Sequence, residues 1–184
     1  MGDAWRKRSV VSDGTAGCVA VLLSVLLMAG CGEGETEGAA MSADSGQRVE
    51  GLSGSDERRL GEQRAVVERY LGESEENHRN YESAVGKLGT IRMILEQGYF
   101  MAEQTYELQC LGVVLGDVFV QELGMEWVMV EDEYGRDPAV RLLGTDVIMF
   151  PLTMISKRVE RGEAVDVFEL FNGLAARVDE MRGG

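Results

Sequence analysis

The sequence predicts an α+β domain built from three N-terminal helices, a three-stranded antiparallel meander and two C-terminal helices. Three observations lead there. Apolar residues recur at helical spacing from Leu60 to Phe119. Between Trp127 and Phe150 they collapse into short apolar runs separated by turn residues. Helical spacing resumes after Pro151, so helices cover at least one face of a small sheet.

Leu60, Val66, Val67, Tyr70 and Leu71 give the first helix its apolar stripe, and Glu73 to Asn80 follows as a polar interval. Val85, Leu88, Ile91, Ile94 and Leu95 make the second helix, ending near Gly98. Leu108, Leu111, Leu115, Val118 and Phe119 make the third, with Gly124 as its C-cap. On that helix Gly112 and Gly116 lie four apart. A glycine costs a helix about 1 kcal/mol relative to alanine, so two on one face predict close approach of another element. Glu103, Glu107, Asp117 and Glu122 decorate the same segment and argue against a membrane-dimer reading of the glycine pair.

Trp127–Val130, Ala139–Leu143 and Val147–Phe150 are the expected strands, with a turn at Gly144-Thr145. Pro151 ends the third strand and fits the first turn of a helix. Leu152, Ile155 and Val159 give that helix its face, and Gly162 closes it. Val167, Leu170, Phe171, Leu174, Val178 and Met181 define the last helix.

Upstream of the domain, Arg6, Lys7 and Arg8 precede an apolar core from Gly17 to Leu27, and residues 14–32 carry no charge. A basic start, a short apolar core and small residues before a cysteine are the parts of an export signal. Met28-Ala29-Gly30-Cys31 resembles the cleavage motif of bacterial lipoproteins, with Met28 where that family prefers leucine. The resemblance implies cleavage after Gly30, diacylglycerol on the Cys31 sulfur and an acylated Cys31 amine. Gly32, rather than aspartate, follows the cysteine, which under the same resemblance favours the outer membrane where the host has one. An uncleaved anchor fits less well, because a spanning helix needs about 20 apolar residues and this stretch is shorter and broken by glycine, serine and threonine.

The expected organisation is therefore a signal peptide at 1–30, a lipidated cysteine and tether at 31–56, and one domain at 57–184. Residues 32–56 hold six acids, one arginine and abundant Gly and Ser, a composition with too little apolar surface to order itself. A chain of that length and kind reaches roughly 25–30 Å. Of the three cysteines, Cys18 leaves with the signal and Cys31 takes the lipid. Cys110 alone remains, beside Leu111 in an apolar helix and expected to be a small buried side chain.

The 184 residues carry a net charge of −14, and removal of residues 1–30 leaves 15 basic and 30 acidic residues. Phosphate recognition needs a basic footprint, so nucleic-acid binding is excluded and a basic protein is the expected kind of macromolecular partner, beside the membrane reached through Cys31. A single histidine, His78, excludes histidine-cluster metal sites and most histidine-based triads. No cofactor and no metal site is implied.

Two polar groups are the candidate binding residues. Asp132, Glu133, Tyr134, Arg136 and Asp137 lie in the segment Glu131–Pro138, read either as a carboxylate site or as a solvated hairpin connection with Asp137-Pro138 in the turn. Lys157 and Arg158, with Arg161, sit where positive charge stabilises a helix C-terminus; the alternatives are an anion site or ion pairs to the acidic hairpin. Gly124 to Val128, Glu131 to Pro138 and Phe150 to Arg158 together resemble the uncharacterised bacterial family called domain of unknown function 3806, over roughly Tyr106 to Met181. That resemblance implies no activity and no catalytic residue. The expected function is a membrane-anchored exported lipoprotein whose domain binds a protein or small ligand without catalysis. The alternatives are a carboxylate-dependent envelope enzyme using Asp132, Glu133 or Asp137, and an acidic antagonist of a basic toxin or envelope enzyme.

Overall fold

The computed structural model describes residues 47–183. The leader, Cys31 and the expected tether up to residue 46 lie outside the described residues. The elements run β1 (Arg48–Gly51), α1 (Gly54–Glu68), a 3-10 turn (Arg69–Leu71), α2 (Glu75–Tyr81), α3 (Ala84–Glu96), α4 (Thr105–Leu123), β2 (Met125–Asp132), β3 (Gly135–Leu142), β4 (Ile148–Met149), α5 (Pro151–Glu160) and α6 (Val167–Gly183). The class is α+β, with six α-helices and four antiparallel strands in the order β1-β2-β3-β4 among the described residues.

Three expectations need correction. The sheet has a fourth strand: β1 pairs with β2, Arg48 opposite Glu131 and Val49 opposite Val130. Residues 48–56 therefore belong to the fold rather than to a tether, and the expected boundary at Glu57 falls inside α1. The polar interval after the first helix contains α2, which buries only Tyr81. Its ends are set by local polar chemistry: the Asn77 N–H donates to Ser74 Oγ, acids Glu75 and Glu76 lie in the first turn, and His78 and Arg79 lie in the last. Finally, Asp137 and Pro138 stand inside β3, and the hairpin turn is Glu133-Tyr134. Hydrogen-bonded and open pairs alternate in an antiparallel ladder, and counting from the closing pair Asp132–Gly135 places Pro138 in an open pair opposite Met129. Its missing N–H thus costs β2 nothing, and β4 pairs only with Val140 and Arg141.

Strand alternation divides the sheet. Met125, Trp127, Val140 and Leu142 face the helices, where Met125, Val140 and Leu142 join the main core around Leu111, Leu115 and Phe119. Val128, Val130 and Ala139 form a separate small cluster with Val49, Ile148 and Phe150. α4 is the hub, packing on α1, α3, α5, β2 and β3. The glycine pair explains its closest neighbour. A Cβ on Gly112 would stand 2.5 Å from Leu152 Cα and from Pro151 O, and one on Gly116 would strike the Trp127 ring and lie 2.9 Å from Pro151 Cγ. α5 thus rests directly on the α4 backbone. Gly124, at φ +57°, turns the chain from α4 into β2 as expected.

Two polar joints fix α1 to this frame. Arg64 donates from Nε and Nη2 to the two oxygens of Asp117 on α4, each at 2.7 Å, and the Trp127 Nε1–H adds a third bond to Asp117 Oδ1 at 2.9 Å. The Asp117 and Arg64 side chains are 16% and 29% exposed, so the pair is largely removed from water. Asp117→Asn leaves Arg64 without its counter-charge and is expected to destabilise the domain by about 1–3 kcal/mol. A urea titration followed by Trp127 emission checks this.

The second joint is at the other end of α1. Ser53 and Asp56 form a capping box, and Arg136 of β3 grips Asp56 with bonds of 2.7 and 2.8 Å. The Arg136 guanidinium and then Ser53 hold the Asp56 carboxyl far below the usual carboxylate range, whose ordinary value is 3.8. A depressed folded-state value means that the joint contributes fully above pH 3.8 and is lost as pH falls toward the folded value. The difference in melting temperature between the native chain and Arg136→Met should therefore be constant from pH 5 to 7 and shrink below about pH 3.8. Thermal melts across that range test it.

Candidate functional site

The residues expected to bind do not converge. Asp132, Glu133, Tyr134 and Asp137 are exposed along the hairpin, and Tyr134 is 88% exposed at its tip. Asp132 Oδ1 accepts from the Tyr134 N–H at 2.8 Å, which fixes the turn. Arg136 is committed to Asp56. On α5, Lys157 is exposed, and Arg158 donates from Nη1 to Met154 O at 2.5 Å, satisfying a carbonyl of its own helix. Among the described residues no ion pair joins Lys157 or Arg158 to the hairpin. Cys110 is fully buried, and burial pushes its thiol up to about 11 from an ordinary 9.0, the opposite of what a nucleophile needs. No group of three or more His, Cys, Asp or Glu among the described residues is placed to hold a metal ion.

What the fold does bring together is a pair of clefts on either side of Tyr70. Tyr70, in the 3-10 turn after α1, lines one cleft with α2 and α3 and the other with α1, the α3–α4 connection and α4. Its ring is held by neighbours: Tyr99 at a centroid distance of 5.0 Å and Phe100 edge-on at 5.3 Å.

The first cleft, of about 260 Å³, is walled by Tyr70, Tyr81, Asn77, Asn80, Gly89 and Thr90 among others. Asn77 Nδ2 donates to Leu71 O at 2.8 Å, and Thr90 Oγ1 donates to Gly86 O at 3.0 Å. The Asn80 carboxamide has no partner among the described residues. Gly86 lets the end of α2 sit against α3, since a Cβ there would overlap the Asn80 carbonyl. Tyr81 is buried, and desolvation first, then the nearby Glu68 and Asp117 charges, keep its hydroxyl protonated far above its ordinary range.

The second cleft, of about 450 Å³, is walled by Val66, Tyr70, Phe100 and Tyr106 with Glu62, Arg69, Gln104 and Glu107. Its rim carries both signs of charge, and Tyr106 is half exposed. Buried Gln63, whose Oε1 lacks a partner among the described residues, lines neither cleft.

Sequence reasoning missed both clefts. In the sequence Asn77 and Asn80 belong to a polar interval, and Tyr70 belongs to an apolar stripe. The available signal was Ser74 followed by Glu75 and Glu76, a capped helix start that would have moved α2 out of the loop class.

α4, β2, β3, β4 and α5 of this frame lie in a region that matches a family model, whereas β1 lies outside it. Residues 87–171 match the family model of a domain of unknown function (DUF3806). The DUF3806 segment begins in α3, earlier than the resemblance at Tyr106 suggested, and ends in α6 at Phe171. It includes Gly89 and Thr90 but not Tyr70, Asn77 or Asn80. A crystal structure from Bacteroides thetaiotaomicron VPI-5482 is similar, with a TM-score of 0.55 and 17% identity, over 70% of this chain and 47% of that one. This chain thus spans about half the length of that neighbour, and the likeness concerns the fold alone. No curated protein matches the chain.

Proposed function

We propose that the chain is an exported lipoprotein, anchored through lipid on Cys31, whose domain is a non-enzymatic binding module. The observation that carries the binding reading is the pair of open clefts sharing the braced ring of Tyr70. The displaced carboxylates and arginines support it, since they belong to structural pairs: Asp56 with Arg136, Arg64 with Asp117, and Arg161 with Glu163. The hairpin carboxylates Asp132, Glu133 and Asp137 stand in the open and line neither cleft. Anchoring rests on the leader and Met28-Ala29-Gly30-Cys31. No helix among the described residues is long and apolar enough to cross a membrane.

Replacement of the lipidated residue tests this. The native chain should fractionate with membranes and accumulate as a larger precursor under globomycin, whereas Cys31→Ser should lose both behaviours. Identical fractionation of the two, with no effect of globomycin, would refute the anchor.

A further inference from the structure

We infer that the cleft between the 3-10 turn, α2 and α3 binds an uncharged saccharide, an inference that rests on the binding-module reading. The chain is 27% charged, yet no carboxylate, ammonium or guanidinium lines this cleft. Lys87 lies 5.5 Å from the Tyr81 ring centroid but is tied to Glu82 O at 3.0 Å and Gln121 Oε1 at 2.9 Å. The walls instead combine two tyrosine rings with two carboxamides. A carboxamide offers two donors and an acceptor, matching hydroxyl and acetamido groups, and the half-buried Tyr70 ring offers an apolar surface for the C–H side of a sugar, whereas Tyr81 is buried. Asn77 and Asn80 are exposed at the cleft, and among the described residues neither the Asn80 carboxamide nor Asn77 Oδ1 has a partner, so both are open to a ligand in exchange for solvent.

Gly89 is the independent observation. It sits in the interior of α3, where glycine costs about 1 kcal/mol relative to alanine, and a Cβ there would meet nothing within 4 Å. Packing thus does not account for it, unlike Gly86 and Gly112. Gly61 and Gly173 are equally unencumbered, but neither lines this cleft, whereas Gly89 leaves its floor open. A nucleotide would require cationic or clustered backbone donors that this wall lacks. A peptide that binds by adding a strand would require a sheet edge, and the cleft is made by helices and a 3-10 turn.

The test uses the full-length chain, chitobiose (a neutral disaccharide of N-acetylglucosamine) as soluble probe, and purified peptidoglycan sacculi as polymeric probe. Chitobiose should bind with a dissociation constant of roughly 1 mM or tighter by calorimetry. Asn80→Ala and Gly89→Leu should each weaken it more than about tenfold. Leucine is the better helix former, so Gly89→Leu should melt no lower than the native chain while losing binding. Leu143→Ala, on an exposed loop, should leave the affinity unchanged. Retention on sacculi as well as chitobiose binding identifies a wall glycan as the source, and chitobiose alone identifies a free sugar. No binding of either probe, or binding indifferent to both cleft variants, overturns the inference. Fractionation of Cys31→Ser stands apart from all of these outcomes, so failure of the anchor and failure of the cleft are distinguishable.

Discussion

Phe119→Ala is expected to lower the stability of the domain by about 3–5 kcal/mol, the range for removing a large aromatic side chain from a packed core. Phe119 is fully buried in α4 and stacks on Phe171 of α6 at a centroid distance of 6.2 Å and 16°. Domains of this size are held by about 5–15 kcal/mol, so the variant retains only part of its margin. The melting temperature should fall by roughly 10–20 °C. Calorimetry of the two proteins decides the matter. A loss below about 1 kcal/mol would mean that α4 is not the centre of the core.

Gly112→Ala is expected to destabilise by about 1–3 kcal/mol, against the direction of helix propensity. Alanine favours the helix by about 1 kcal/mol, but its Cβ would lie 2.5 Å from two backbone atoms of α5, and backbone cannot rotate away. Gly61→Ala is the matched control on α1. Nothing lies within 4 Å of its added Cβ, so it should gain about 0.5–1 kcal/mol. Chemical unfolding of the three proteins should give opposite signs for the two substitutions. The same sign for both would show that α5 does not rest on Gly112.

These two outcomes concern the part of the fold most legible in the sequence. The α4 stripe is long, strongly periodic and closed by Gly124, so its class and limits follow from local rules. Gly112 and Gly116 announced a close neighbour, which proves to be α5. Less was legible where order comes from pairing across the chain. β1 has four residues, Arg-Val-Glu-Gly, too few for alternation to register. It is a strand because β2 presents an edge and because Arg136, 80 residues away from Asp56, pins the start of α1. α2 escaped because it buries one residue and so has no stripe.

The candidate site was less legible than the fold. The charged hairpin drew attention because charge is conspicuous in a sequence, yet the structure spends it on a turn, an ion pair and solvent. The first cleft at Tyr70 is assembled from the 3-10 turn, α2 and α3, and the second from α1, the 3-10 turn, the α3–α4 connection and α4, out of residues that look like loop, surface or core residues one at a time. Their significance lies in juxtaposition, which no single window displays.

We propose that the folded domain is held to a membrane by lipid on Cys31. The most direct measurement is the mass of the tryptic N-terminal peptide from protein extracted from membranes. The expected peptide runs from Cys31 to Arg48 and carries a diacylglycerol and an acylated amine. A peptide running unbroken from Ser9 to Arg48, with an unmodified Cys31, would contradict the proposal.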